Sequence, residues 1–371
     1  MISAIVIAAE DFGFGPASHA VAIARALISR DPRLTIFGEA HGAAAELMSG
    51  EAAFASVRPR QAIAQAPLPT GRVHVDVGNF DGALEHVSAG RPVVFVDALY
   101  WLWITTPVDP RLFDAYFALD FPGLEVRKID EGAVTVIDQI VSDYVIRPAY
   151  NAFDVEQTPR VMVNLGGGTS PLGCNEVYLR SITNLALDVL QTTCPKAEVL
   201  ITSSQSVLDL LGDLRGRRVQ KISLPQVEFI RSMRRSRLLV SLPGQSVVWE
   251  SVLTQTPLVL LPASNYSQHR QADAYAAHQS LSEAPQVSWS RIPGYTSLPP
   301  GLPEMQGVKL AFALGCRFAA DSAAQARARD LLSEALLSRR EWTKATSRQL
   351  SFQGADQVAE AVLRLAGGGT T

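Results

Sequence analysis

The chain has 371 residues and a formal net charge of -3, from 33 Lys and Arg against 36 Asp and Glu, a balance that leaves no basic footprint and argues against nucleic acid as a partner. At this length, with 47% hydrophobic residues, two domains of ordinary size can each bury a core. The three cysteines, Cys174, Cys194 and Cys316, are widely spaced and odd in number, which excludes metal-ligand spacing and a full disulfide framework and fits a reducing, cytoplasmic setting.

The opening apolar run from Ile5 to Ala9 has no basic stretch before it and is too short for a signal peptide or a membrane span. It is expected to be the first buried strand, Ala4 to Ala8. Pro16 to Ser29 follows as a helix with Val21, Ala24, Leu27 and Ile28 on one face. Leu34 to Phe37, Val73 to Val77 and Pro92 to Val96 are short apolar strands, each followed by a loop and a plausible helix, and such alternation means parallel strands with crossover helices. Residues 147–159, polar and bounded by prolines, read as an interdomain linker.

The alternation then restarts: strand Val161 to Asn164, helix Asn175 to Thr192, strands Val199 to Thr202 and Val219 to Ile222, helix Gln226 to Arg234. Strands at Leu238 to Val240 and Leu258 to Leu261 flank a turn at Pro243 and Gly244 and a helix that Ser246 is expected to cap. Residues 291–307 are dense in Pro and Gly and are expected to form a surface loop, with helices after it at Ala323 to Ser338 and Ala355 to Leu365. The GGGTT end is expected to be disordered. The fold class is thus α/β with two Rossmann-like domains, residues 1–150 and 151–340, followed by a tail at 341–371.

Ligands of such sheets bind beyond the carboxyl ends of the strands, so candidate residues are sought in the loops there. At the Gly244 turn, the N–H groups of Gly244, Gln245 and Ser246 stand at a helix start where the backbone dipole favours an anion. Glu250, one turn further along, suits a pair of ribose hydroxyls. Each residue has a bland alternative, a solvated carboxylate or a common turn, and the joint arrangement with Asn265, Ser267 and Gln268 after the next strand is what carries the reading. His269 is given less weight than Gln268. Gly166, Gly167, Gly168 and Thr169 form a glycine loop that is not a P-loop, since no Lys-Ser or Lys-Thr ends it. It is expected to line the cleft with Ser203 and Ser204, and Gln226 and Val227 open the next helix beside it.

In the first half, Gly13 and Gly15 allow close backbone approach to a substrate, and Glu10, Asp11 and His19 are the candidate proton-accepting groups of that loop, Asp11 first. Asn79 lies in the second loop. Asp97, Tyr100, Trp101 and Trp103 lie in the third loop, directly after the Pro92 to Val96 strand, and could offer a flat aromatic wall with a hydrogen-bonding acid, against the simpler alternative of core aromatics. A competing reading takes Gly13, Gly15 and Glu39 as a dinucleotide-binding unit, but its third glycine would fall at Ser18.

SLPGQSVVWE followed by TPLVLLPASNYSQHRQ resembles the nucleotide-sugar signature of GT-B glycosyltransferases, with Ser241, Gly244, Glu250, Pro257, Asn265 and Gln268 in the matching positions. Ser241 and Thr256 stand where that family often has His and usually has Gly. Pro16 and His19 stand where its first loop has the usual His and Arg, so the usual catalytic base is missing. FVDALYWLW, VNLGGGTSPLG, LPGQSVVWE and LPASNYSQ are similar to blocks of the cytosylglucuronate synthases of nucleoside-antibiotic pathways. The resemblance implies two domains facing a central cleft, a last helix crossing back to the first domain, and inverting transfer of a sugar, UDP-linked and in the narrower case glucuronosyl, to a small-molecule acceptor. Neither a metal nor a cofactor is expected, and a homodimer is the candidate assembly. A nucleotide-sugar epimerase or hydrolase of the same fold and a non-catalytic sugar-nucleotide-binding protein are the alternatives.

Overall fold

The computed structural model describes residues 4–11, 13–59, 73–121, 124, 127–146, 158–214, 218–277, 286–338 and 351–367. Most of the linker expected at 147–159, and all of the GGGTT end except Gly367, lie outside them. Two compact units partition the chain, Met1–Ile146 with Ser351–Thr371, and Arg147–Leu350.

The first unit is a seven-stranded parallel sheet. Its strands are β1 (Ala4–Ala9), β2 (Thr35–Glu39), β3 (Ser56–Arg58), β4 (Val73–Val77), β5 (Val93–Asp97), β6 (Ala115–Leu119) and β7 (Val134–Ile137), in the order β3-β2-β1-β4-β5-β6-β7. Strands β1 and β5 read as nearly continuous apolar runs because helices cover both of their faces, whereas β4 alternates Val with the buried His74 and Asp76. On one face Ile5, Ile7, Val75 and Val77 pack with Val21 and Leu27 of the Gly15–Arg30 helix and with Val358 and Val362 of the Gly354–Gly367 helix. That last helix enters tightly. A Cβ at Gly354 would overlap the Asp138 carbonyl, so only glycine admits this approach.

The second unit holds a five-stranded parallel sheet, ordered β12-β11-β8-β13-β14, and a separate two-stranded hairpin, β9 (Thr169–Ser170) with β10 (Gly173–Cys174). The sheet strands are β8 (Thr158–Asn164), β11 (Glu198–Thr202), β12 (Val219–Ile222), β13 (Ser236–Ser241) and β14 (Leu258–Leu260). Val161, Val163, Leu238 and Val240 meet Leu185, Val189, Leu331 and Leu332 from helices Glu176–Thr193 and Ser322–Ser338 in its core. In both sheets the order reverses beside the first strand of the unit, between β1 and β4 and between β8 and β13.

Several boundaries differ from expectation. The Tyr266–Ala277 and Glu304–Ala320 helices and strands β6 and β7 were not anticipated, and the second helix begins inside the supposed loop at 291–307. Gly307 is tolerated within it because its missing side chain makes room for the Tyr266 ring. None of the described helices is long and apolar enough to cross a membrane.

Candidate functional site

The second unit gathers its polar groups at the reversal point. Thr202, Asn164 and Ser241 are register partners at the last positions of β11, β8 and β13. Asn164 Nδ2 donates to Ser241 Oγ at 3.0 Å, and its Oδ1 accepts from Gly166 N at 3.1 Å and Thr202 Oγ1 at 3.4 Å. Ser241 Oγ in turn donates to the Leu242 carbonyl at 2.7 Å. All three side chains are buried, so the row satisfies itself where the backbone ladder ends.

From this row the glycine loop departs with Gly166 at φ +59 and Gly168 at φ +64, conformations that glycine adopts without strain. Ser203 Oγ donates to the Gly166 carbonyl at 2.6 Å and Ser204 Oγ to the Gly167 carbonyl at 3.1 Å. Because each peptide is planar and trans, the N–H groups of Gly167 and Gly168 point opposite to those two carbonyls. The serines therefore aim the loop amides instead of reaching for a ligand themselves. Thr169 begins the β9–β10 hairpin beyond them.

On the other side of the reversal stands the Gln245–Thr254 helix. Its N-cap is Gly244, in extended conformation at φ -161, and no side chain caps it. The expected cap, Ser246, lies inside the first turn, since the extended Gly244 already lets the chain enter the helix. The first-turn amides of Gln245, Ser246 and Val247 precede the intrahelical ladder, which opens with Val248 N to Gly244 O. Glu250 is 3% exposed, on the enclosed side of this helix.

After β14, Asn265 Oδ1 accepts from Gln268 N at 2.9 Å and Ser267 Oγ at 3.0 Å, so its oxygen caps the Tyr266–Ala277 helix. Gln268 Oε1 accepts from Ser264 N and Oγ, which leaves Nε2 as the side-chain group available to a ligand. His269 is buried, and its ring stacks on Trp289 at 5.8 Å. Burial, with a smaller contribution from Arg270, depresses its pKa to about 3. It is a neutral core imidazole. Gln226 is buried at the start of the Gln226–Arg235 helix, whose N-cap Pro225 lacks a side-chain cap bond, so the first amides there, including Val227, face outward from the helix start.

In the first unit the structure corrects several expectations. The Gly15–Arg30 helix begins before Pro16, and His19 lies within it at 1% exposure, its pKa lowered to about 4 by burial. Helical packing removes it from the loop. Asp11 remains exposed and Glu10 is half-buried, its Oε1 accepting from Asp11 N at 3.2 Å. Gly13 holds φ +76 in the loop, and Gly15 starts the helix. Asn79 caps the Phe80–Ser88 helix by accepting from Gly82 N. Glu39, the acid of the dinucleotide reading, is buried against His86 at 3.6 Å, and Ser18 is buried in the first helix.

The aromatic wall is also rearranged. Tyr100 is 2% exposed, its hydroxyl donating to Asp130 Oδ2 at 2.8 Å, with Arg127 over its ring at 4.3 Å. It packs in the core rather than lining a site. Asp97 accepts from Leu99 N at 2.8 Å, Trp103 Nε1 at 3.0 Å and Tyr116 hydroxyl at 2.6 Å. Burial raises its pKa to about 6 despite those bonds. Trp101, half-buried, stacks on Phe121 at 4.0 Å and donates to the Ala98 carbonyl.

Asn164, Thr202 and Ser204 carry the geometry more than sequence reasoning assigned to them. The available signal was a polar residue ending each of two apolar runs, next to a glycine triplet and a serine pair.

No family model matches this chain, and no curated protein matches its sequence. Among solved structures, it is similar to the glycosyltransferase VinC in complex with dTDP, at 12% identity over 100% of both chains with a TM-score of 0.50. The spinosyn rhamnosyltransferase SpnG aligns at 13% identity over 90% of this chain and 96% of that one, with a TM-score of 0.48. The calicheamicin glycosyltransferase CalG4 aligns at 12% identity over 100% of both, with a TM-score of 0.45. The fold is accordingly α/β of the GT-B class, built from two Rossmann-like domains.

Proposed function

We propose that the chain is a glycosyltransferase that moves a sugar from a nucleotide diphosphate donor to a small-molecule acceptor. The observation that carries this reading is the pair of backbone amide sets, Gly167 with Gly168 and Gln245 to Val247, on either side of the reversal between β8 and β13. Two phosphates need such donors, and Glu250 one turn along suits the ribose hydroxyls. The main chain at Gln226 and Val227 meets the base, while Gly166, Thr169, Ser203, Asn265, Ser267 and Gln268 shape the donor-sugar side, Gln268 through Nε2. VinC, of the same fold, was solved with dTDP, which supports a nucleoside diphosphate as the ligand class.

The reaction is direct displacement. As the bond between the anomeric carbon and the diphosphate oxygen breaks, charge grows on that oxygen and the first-turn amides of Gln245, Ser246 and Val247 stabilise it without a metal. The acceptor attacks from the opposite face, which inverts the centre, and its proton passes to Asp11, with Glu10 as the neighbouring carboxylate. Gly13 and Gly15 let the acceptor approach the backbone. Asp97, with every oxygen engaged, holds the turn that presents Trp101. The finer reading, glucuronosyl transfer from UDP to a pyrimidine, rests on the resemblance of the four sequence blocks alone.

Thermal shift against UDP, dTDP and GDP tests the donor site, with stabilisation by one base over the others as the expected result. Glu250→Ala should weaken that nucleotide by about 1.5 to 3 kcal/mol through lost charged hydrogen bonds. Unchanged affinity removes the ribose assignment. The burial of His19 favours one alternative, a sugar-nucleotide-binding protein without turnover. Release of nucleoside diphosphate only when acceptor is present separates a transferase from that protein and from an epimerase or hydrolase.

A further inference from the structure

The first unit encloses a group of side chains that the proposed transfer does not use. Glu39 ends β2, His74 lies on β4, and His86 lies in the last turn of the Phe80–Ser88 helix. Their exposures are 2%, 1% and 7%. One ligand atom from each falls within 4.8 Å of the other two, the only such group among the described residues. The imidazole centroids are 3.8 Å apart, and His86 Nε2 is 3.6 Å from Glu39 Oε2.

Burying a carboxylate costs several kcal/mol unless it is paired and fully hydrogen-bonded. Here Glu39 Oε1 is buried with no hydrogen-bond partner. The 3.6 Å contact is longer than a hydrogen bond, yet close to the separation of about 3.4 Å between two donors bound at about 2.1 Å in a tetrahedral set. The three atoms need only a modest contraction to share one ion.

We propose that the first unit binds one divalent transition-metal ion, zinc in preference, through Glu39, His74 and His86. Two imidazoles and a carboxylate suit zinc and its neighbours in the series, whereas Mg²⁺ and Ca²⁺ favour oxygen donors. Three separate elements converge on the ion, so it acts as a clasp joining β2, β4 and the Phe80–Ser88 helix.

Arg91 opposes the ion. Its Nη1 lies 3.1 Å from His86 Nδ1, and a guanidinium can only donate, so Nδ1 accepts and the ring proton sits on Nε2. Binding through Nε2 moves that proton to Nδ1 and displaces the half-buried Arg91. The proton changes ring atoms and none is released.

The test is titration of the chelator-treated full chain with Co²⁺, followed by its ligand-field absorption and then displacement by Zn²⁺. One equivalent should bind, and Zn²⁺ should raise the melting temperature. His74→Ala and Glu39→Gln should each lower affinity by more than about 100-fold, above the loss expected for an outer partner. Arg91→Ala removes a competing charge outside the donor set and should tighten Co²⁺ binding about tenfold, which keeps the test available if the buried variants do not fold. Failure of the wild-type chain to take up Co²⁺ or Zn²⁺ at micromolar concentration overturns the proposal, as does uptake undiminished in folded His74→Ala and Glu39→Gln.

Discussion

Asn164 Nδ2 donates to Ser241 Oγ at 3.0 Å where the order of the second sheet reverses, joining the ends of β8 and β13 with both side chains buried. The same asparagine holds Gly166 N through its other atom, so one side chain links the glycine loop to the turn that starts the Gln245–Thr254 helix. Asn164→Ala should cost about 1 to 3 kcal/mol of stability by stranding buried partners. It should also weaken nucleotide binding at least tenfold by releasing the loop. Denaturation and calorimetric titration measure the two effects. Combined with Ser241→Ala, the stability costs should be less than additive, and strict additivity would show that the two residues do not act together.

The glycine loop separates two kinds of constraint. At Gly168 a Cβ would lie 2.7 Å from Val207 Cγ2 and 3.3 Å from Leu179 Cδ1, whereas at Gly166 nothing lies within 4 Å. Both positions have positive φ. Gly166→Ala should cost about 1 to 2 kcal/mol from the left-handed backbone alone, and Gly168→Ala about 1 to 3 kcal/mol more from crowding. Equal costs in urea denaturation would remove the contact with Val207 as the reason for the second glycine.

His19 gives the fold an acid limit. Its folded pKa of about 4 lies below the ordinary 6.5, so between those values the unfolded chain binds the extra proton. Stability from this residue is fully present above about pH 6.5 and lost as pH falls towards 4, on the order of 3 kcal/mol in all. His19→Gln should flatten the fall of melting temperature over that window. Unaltered acid sensitivity would mean that His19 is not buried as a neutral ring.

Asp97 contributes with the opposite sign. Its folded pKa is raised to about 6 from 3.8, so the native state holds its proton more tightly, and the contribution of this group to stability declines as pH rises from about 4 to 6. A carbon-detected titration of the Asp97 carboxyl should show a midpoint near 6. A midpoint near the ordinary value would show that the bonds from Tyr116, Trp103 and Leu99 fully offset burial.

Much of the fold was legible in the chain itself. Val73–Val77 and Val219–Ile222 coincide with their expected strands, and the Gln226–Arg235 helix extends only one residue beyond expectation. Periodicity and apolar runs are local signals, read within a few residues. Strand β7 escaped because it is short and partly exposed at the sheet edge, and the Glu304–Ala320 helix because prolines and Gly307 conceal its start. The turn at Gly244 and the glycine triplet at 166–168 could also be placed from the sequence, because glycine and proline restrict the backbone wherever they occur.

Which polar groups meet was decided by tertiary structure alone. Asn164 and Ser241 are 77 residues apart and touch only because β13 is laid beside β8. Packing turned His19 and Tyr100 into core residues, engaged every oxygen of Asp97, and carried Glu39 to His86. The physical reason is that a side chain's partners and desolvation depend on strand order and helix crossing, which long-range burial selects. A run of residue types specifies the element a side chain sits on, and only the assembled sheet specifies what that side chain faces.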